Sequence, residues 1–162
     1  MKVGKVLTAG LLGMAPLAAM ASQASGTFAV GTTVLSVCTV VASPLTFINY
    51  DPTASGNTDG TTTIGVLCTN GTSYTVRLSQ GANGTGVTAR KMLLTGGSDL
   101  LPYSLYRDSS RSQNWGVTDG SDTASGTGNG LLQNVTVYGR IGSGSTASAG
   151  IYLDTINVTV NY

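Results

Sequence analysis

Proton-transfer catalysis needs a titratable base. This chain of 162 residues has no histidine, and its seven acidic residues are all aspartates. With no imidazole and no Gly-x-Ser-x-Gly elbow, a serine-nucleophile triad has no material. A serine–lysine dyad would need Lys91, but the residue three before it is Thr88. Two cysteines without a histidine cannot close a zinc site, and there is neither a Walker A loop nor a dinucleotide fingerprint. Paired carboxylates, as in glycoside hydrolysis, are the remaining catalytic option. Asp51, Asp108 and Asp154 are its candidates, but each lies among turn residues, where an aspartate bonds its own backbone. Asp119 and Asp122 lack the spacing of a calcium loop. Trp115 and the tyrosines offer a sugar platform or, more simply, core packing. Asn70, Asn83, Asn134 and Asn157 head glycosylation sequons, which an Asn- and Thr-rich chain produces by chance.

Residues 1–21 read as a secretory leader: Lys2 and Lys5, an apolar run to Met20, and Ala19 and Ala21 as small cleavage-site residues. Without them six basic residues face seven acidic ones, so the mature chain is close to neutral. That excludes the basic surface that nucleic-acid binding requires. Export also places Cys38 and Cys68 in an oxidising compartment, where an even count suggests one disulfide, contributing about 3–4 kcal/mol in the chain-entropy model.

The elements that must position any site are strands. Gly, Thr, Ser, Asn and Val dominate, and no helical period is found. Over residues 149–162 a final strand is expected, with Ile156, Val158, Val160 and Tyr162 on one face and Thr155, Asn157, Thr159 and Asn161 on the other. Such an apolar row needs a neighbour to cover it. A second alternating row, Phe28, Val30, Thr32 and Val34, precedes Cys38. Between them, strands are expected over 45–50, 62–68, 74–79, 91–94, 100–107 and 135–141. Asn70-Gly71 marks a hairpin turn, and 109–130 is a polar loop around Trp115. Pro102 argues for an edge or a strand start. Seven or eight short strands with turns between them predict an antiparallel, immunoglobulin-like β-sandwich.

The run YSLYRD at residues 103–108, with Arg111, Trp115 and Gly116, resembles a signature of the spore coat protein U domain family. So do VYGRI at 137–141, the closing AGIYLDTINVTVNY, and the settings of Cys38 and Cys68. The resemblance spans nearly all of the mature chain. It departs at Asn114, where an apolar residue is common, and in the charge-poor stretch 143–148.

The resemblance implies an incomplete immunoglobulin-like fold, finished by a strand from elsewhere, as in subunits of archaic chaperone–usher pili. There a periplasmic chaperone supplies the strand first. At an outer-membrane usher, the N-terminal extension of the next pilin replaces it. On that basis residues 22–37 are the donor extension, with Phe28, Val30, Thr32 and Val34 as its apolar row. Residues 38–162 are the domain, whose Ile156, Val158, Val160 and Tyr162 line the acceptor groove. The expected role is a cell-surface fibre subunit for adhesion and biofilm formation, without cofactor or enzymatic activity. The rival readings are a self-complemented exported coat protein and a secreted carbohydrate-binding module.

Overall fold

The computed structural model describes residues 21–162, so the expected leader lies outside the described residues except for Ala21. The chain divides into two units, one ending at Thr33 and one running from Val34 to Tyr162. In the first, residues 21–33 join no helix or strand, and Phe28 is 88% exposed. The alternation of Phe28, Val30 and Thr32 is therefore present without a ladder to serve it.

The second unit is all-β. Its strands are β1 (Cys38–Ala42), β2 (Thr58–Cys68), β3 (Ser73–Leu78), β4 (Arg90–Leu94), β5 (Leu100–Tyr106), β6 (Ala124–Thr127), β7 (Leu132–Ile141), β8 (Tyr152–Leu153) and β9 (Val158–Asn161). They form a six-stranded sheet, β1-β2-β7-β5-β4-β8, and a three-stranded sheet, β6-β3-β9, with every pairing antiparallel. Period-two alternation turns one row of each strand inward. Ile64, Val66 and Cys68 from β2, Leu101, Tyr103 and Leu105 from β5, and Val137 and Ile141 from β7 meet Tyr74, Val76 and Leu78 from β3. Two sheets sharing one apolar layer make the expected sandwich.

Five local expectations are corrected. The run 149–162 is not one strand. Tyr152 and Leu153 pair with β4 in the large sheet, whereas Val158–Asn161 pair with β3 in the small one. Alternation continues through the corner, so the sequence pattern does not show the change of sheet. Asn70-Gly71 does turn the chain, with Gly71 at φ +82°, where only glycine is unstrained. It makes no hairpin, because β2 and β3 lie in opposite sheets and must bury their rows from opposite sides.

Residues 45–50 form no ladder. Leu45, Phe47 and Tyr50 still pack on the core, and Asn49, at φ 40°, breaks the extended run. The polar loop 109–130 contains β6, whose Gly126 lies across from Tyr74. A Cβ there would meet the Tyr74 ring at 2.6 Å, so the weak strand former is what lets this edge close on β3. Pro102 lies in an interior strand, yet β5 pairs with β7 only from Ser104 to Tyr106, so its missing N–H interrupts no ladder bond to that neighbour.

Candidate functional site: a cleft between two unpaired sheet edges

β1 is one edge of the large sheet and β9 one edge of the small sheet. Their Cα atoms approach within 8 Å, but no ladder joins them. Hydrogen-bond phase fixes which groups face the gap. On the β2 side, Thr69 N donates to Val37 O at 3.0 Å and Ser43 N donates to Thr63 O at 3.1 Å. Bonded pairs alternate in an antiparallel ladder, so the peptide groups of Cys38, Val40 and Ala42 point to the open edge. On β9, Ser79 N donates to Asn157 O at 3.0 Å, which by the same phase turns the peptide groups of Val158 and Val160 outward. Among the described residues, two rows of donors and acceptors without a ladder partner thus border the cleft.

The cleft widens away from the Cys38 end. Ile64, Leu78, Val137, Met92, Ile156 and Val158 are among the residues lining a hollow of ≈ 480 Å³. It adjoins a second, of ≈ 630 Å³, between residues 45–52 and 147–153. Phe47 forms part of both walls and meets the Tyr103 ring edge-on at 6.3 Å. Gly60 and Gly139 lie opposite each other on β2 and β7. A Cβ on Gly139 would stand 2.8 Å from Phe47 Cζ, so the glycine pair is the pit that lets this segment lie against the sheet.

The expected groove row is therefore divided. Val158 and Val160 face the core half-buried, opposite Leu78 and Val76. Ile156 lies in the corner before β9 and also lines the hollow. Tyr162 follows β9 and is exposed. Of the expected donor row, Phe28, Val30, Thr32 and Val34 are all exposed. Cys38 and Cys68 form a disulfide between directly opposed residues of β1 and β2, Cα–Cα 4.1 Å, which fastens the edge strand at its start.

The catalytic candidates are occupied elsewhere. Asp51 accepts from Thr53 N at 2.8 Å and Thr53 Oγ1 at 2.7 Å. Asp108 accepts from the Ser110 hydroxyl and from Ser112 N and Gln113 N, the latter at 2.7 Å. The Ser110 bond first, and then these amides, hold its carboxyl well below the usual carboxylate range, which suits a turn anchor and not a proton donor. Asp154 accepts from Ala82 N at 2.8 Å, Asn83 Nδ2 at 3.1 Å and Tyr103 Oη at 2.6 Å, tying the corner to a loop and the core. Burial, and then this bond, push the Tyr103 phenol up.

Asp119 pairs with Arg77, and Asp122 accepts from Thr118 N at 2.6 Å. Among the described residues no group of three potential ligands is gathered for a metal. Trp115 is 0% exposed, and its Nε1 donates to Val76 O at 2.9 Å. It is core, as the simpler of the two sequence readings expects.

Sequence reading missed Arg90. It is fully buried without a carboxylate hydrogen-bonded to it. Its guanidinium donates to four carbonyls: Ser79 O at 2.9 Å, Val87 O at 2.7 Å, Leu78 O at 3.0 Å and Trp115 O at 2.7 Å. Burial pulls its pKa down, and nearby Tyr103 and Asp154 oppose that. Its one sequence signal is a charge opening the apolar run KMLL.

Comparison with known proteins agrees with this geometry. The Spore Coat Protein U domain model matches residues 24–159. The chain is 31% identical over 128 residues to Protein U of Myxococcus xanthus, covering 73% of this chain and 71% of that protein. Among solved structures it is similar to the chaperone–tip adhesion subunit pre-assembly complex of the archaic chaperone-usher Csu pili of Acinetobacter baumannii. There the TM-score is 0.63 at 24% identity, covering 80% of this chain and 41% of that one. By the domain match over most of its length and its likeness to Protein U, the chain belongs to the Spore Coat Protein U domain family.

Proposed function

We propose that this protein is a structural, non-enzymatic subunit of a bacterial surface fibre of the chaperone–usher type, joined by donor-strand exchange. The observation that carries the reading is the pair of facing edges, β1 and β9, with unused peptide groups and an apolar hollow between them. The matching element is the exposed row Phe28, Val30, Thr32 and Val34, in a segment without a ladder of its own. β1 and β9 approach within 8 Å, and parting them to two strand spacings, about 9.5 Å, lets an extended segment between them pair on both sides and cover Val158 and Val160. Each apolar side chain buried contributes roughly 1.5–3 kcal/mol, and each ladder bond about 1 kcal/mol net. The gross attraction is on the order of 10 kcal/mol before ordering costs.

The strand comes from another copy. Thr69 Oγ1 accepts from Val37 N at 3.2 Å and donates to Leu35 O at 3.1 Å, which holds residues 35–37 in line with β1. Val34 could re-enter its own cleft only by reversing the chain within that held stretch. Contacts that run head to tail do not close, and so give fibres. By likeness to the Csu complex, a periplasmic chaperone fills the cleft before assembly, and an outer-membrane usher directs the exchange. Residues 22–37 are then the donor extension of an exported protein whose leader ends near Ala21. Adhesion and biofilm formation are the fibre's roles.

Phe28→Asp tests the reading. The variant is expected to fold and to accept a donor peptide but to form no fibres in electron micrographs. Fibres of normal length from this variant would refute it.

A further inference from the structure

The outer face of the large sheet changes character along its length. Asp59, Thr61 and Thr63 on β2, with Asn134, Thr136 and Arg140 on β7, give a mainly polar surface, in which Tyr138 is covered by the Arg111 guanidinium. Towards the end where β1 begins, the same face turns apolar apart from Thr39, which lies opposite Leu67. Leu67 and Leu132 lie directly opposite each other, and Val41 faces Gly65 beside them. Leu132 Cδ1 lies 3.0 Å from where a Gly65 Cβ would be, so Leu132 lies over the glycine towards Val41. Leu132 is 61% exposed and Val41 67%. Scattered exposed leucines need no explanation, but a contiguous group confined to one end of a polar face does.

What covers it follows from chain length. Only residues 35–37 separate Val34, the last of the donor row, from Cys38. Fully extended, such a link spans about 10–14 Å. It is not slack, because Thr69 fixes Leu35 and Val37 through its side chain and its backbone N–H. A copy that holds Val34 in its cleft must therefore sit against the β1 end of the donor's own domain. The apolar patch is at that end, within two strand spacings of β1.

We propose that this patch, centred on Leu132, seats the body of the neighbouring copy whose cleft holds the donor row. Each junction then has two parts: the inserted strand, and a sheet-face contact that fixes the angle between domains. The inference rests on the donor-strand reading.

Hydroxyl-radical footprinting compares assembled fibres with single subunits whose cleft is filled by a synthetic peptide of residues 22–37. Labelling of Leu67 and Leu132 is expected to fall about fivefold in fibres, as exposed side chains become an interface core. Equal labelling in the two states would overturn the proposal. The double variant Leu67→Thr, Leu132→Thr keeps strand formers at surface positions. It is expected to form fibres whose subunit-to-subunit angle varies in micrographs where the wild type's is fixed. An unchanged angle would also overturn it. Phe28→Asp separates the two levels: if that variant still assembles, the donor-strand reading itself fails. If it is blocked while the leucines stay accessible in wild-type fibres, only the sheet-face contact fails.

Discussion

Arg90 is the clearest case of one side chain joining separate parts of the molecule. A buried charge is normally matched by a carboxylate, but here four main-chain carbonyls surround it. Those carbonyls belong to the end of β3 and its following residue, to the loop before β4, and to Trp115. The arginine therefore supplies donors where strands end and ladder partners run out. Arg90→Met keeps much of the length and removes the donors, leaving several buried acceptors unsatisfied. Urea unfolding is expected to show a loss of about 3–5 kcal/mol, with the signal of buried Trp115 as the probe. A loss under about 1 kcal/mol would mean that water satisfies the carbonyls equally well. The sequence gives this residue almost no signal, because Arg90 beside Lys91, ahead of a short apolar run, reads as a surface charge. Trp115 was easier: a single tryptophan in a small sandwich reads first as core. The aspartates were also legible, since their turn-forming neighbours anticipate the local bonds seen at Asp51 and Asp108.

At the scale of elements, the rows with clean alternation were readable and the sheet memberships were not. The inward rows of β2, β3 and β7 appear in the order and phase that period two demands. Side-chain alternation says which face is buried but not which sheet the strand joins. That is why residues 152–161 look like one strand and serve two sheets, and why Asn70-Gly71 looks like a hairpin and is a crossover. β6 was illegible for a different reason: Ser125, Gly126 and Thr127 have little to bury, and β3 recruits them from the edge. β1 is also an edge strand, paired only with β2, and its start depends on the disulfide. The two cysteines are 30 residues apart. Replacing both by alanine is expected to cost about 3–4 kcal/mol in chemical denaturation, from the loop-closure entropy alone. Hydrogen exchange should quicken most at residues 38–42, because the cleft wall frays first. Uniform quickening over the whole domain would argue against β1 as a separately tethered wall.

At the scale of the whole molecule, an incomplete sandwich makes stability depend on occupancy of the cleft. Val158 and Val160 face the core yet stay half-buried, and the peptide groups on their outer side have no ladder partner. Both deficits belong to the same missing strand, so one segment removes both. Deleting residues 22–34 leaves the Thr69-held stretch and β1 intact and removes only the donor row. The truncated domain is expected to unfold at a lower temperature than the polymer, and to be stabilised by added peptide of residues 22–37 in a concentration-dependent way. At a hundredfold excess over its dissociation constant, the peptide should add about 2.7 kcal/mol, a rise of roughly 10 °C for a domain of this size. The dependence on concentration is the diagnostic, because a segment that completed its own domain would be replaced by a cut-off copy with little gain. If the truncated domain is as stable alone as the full chain and its melting temperature ignores the peptide, the cleft is a closed feature of the fold. The edges of β1 and β9 would then need no partner.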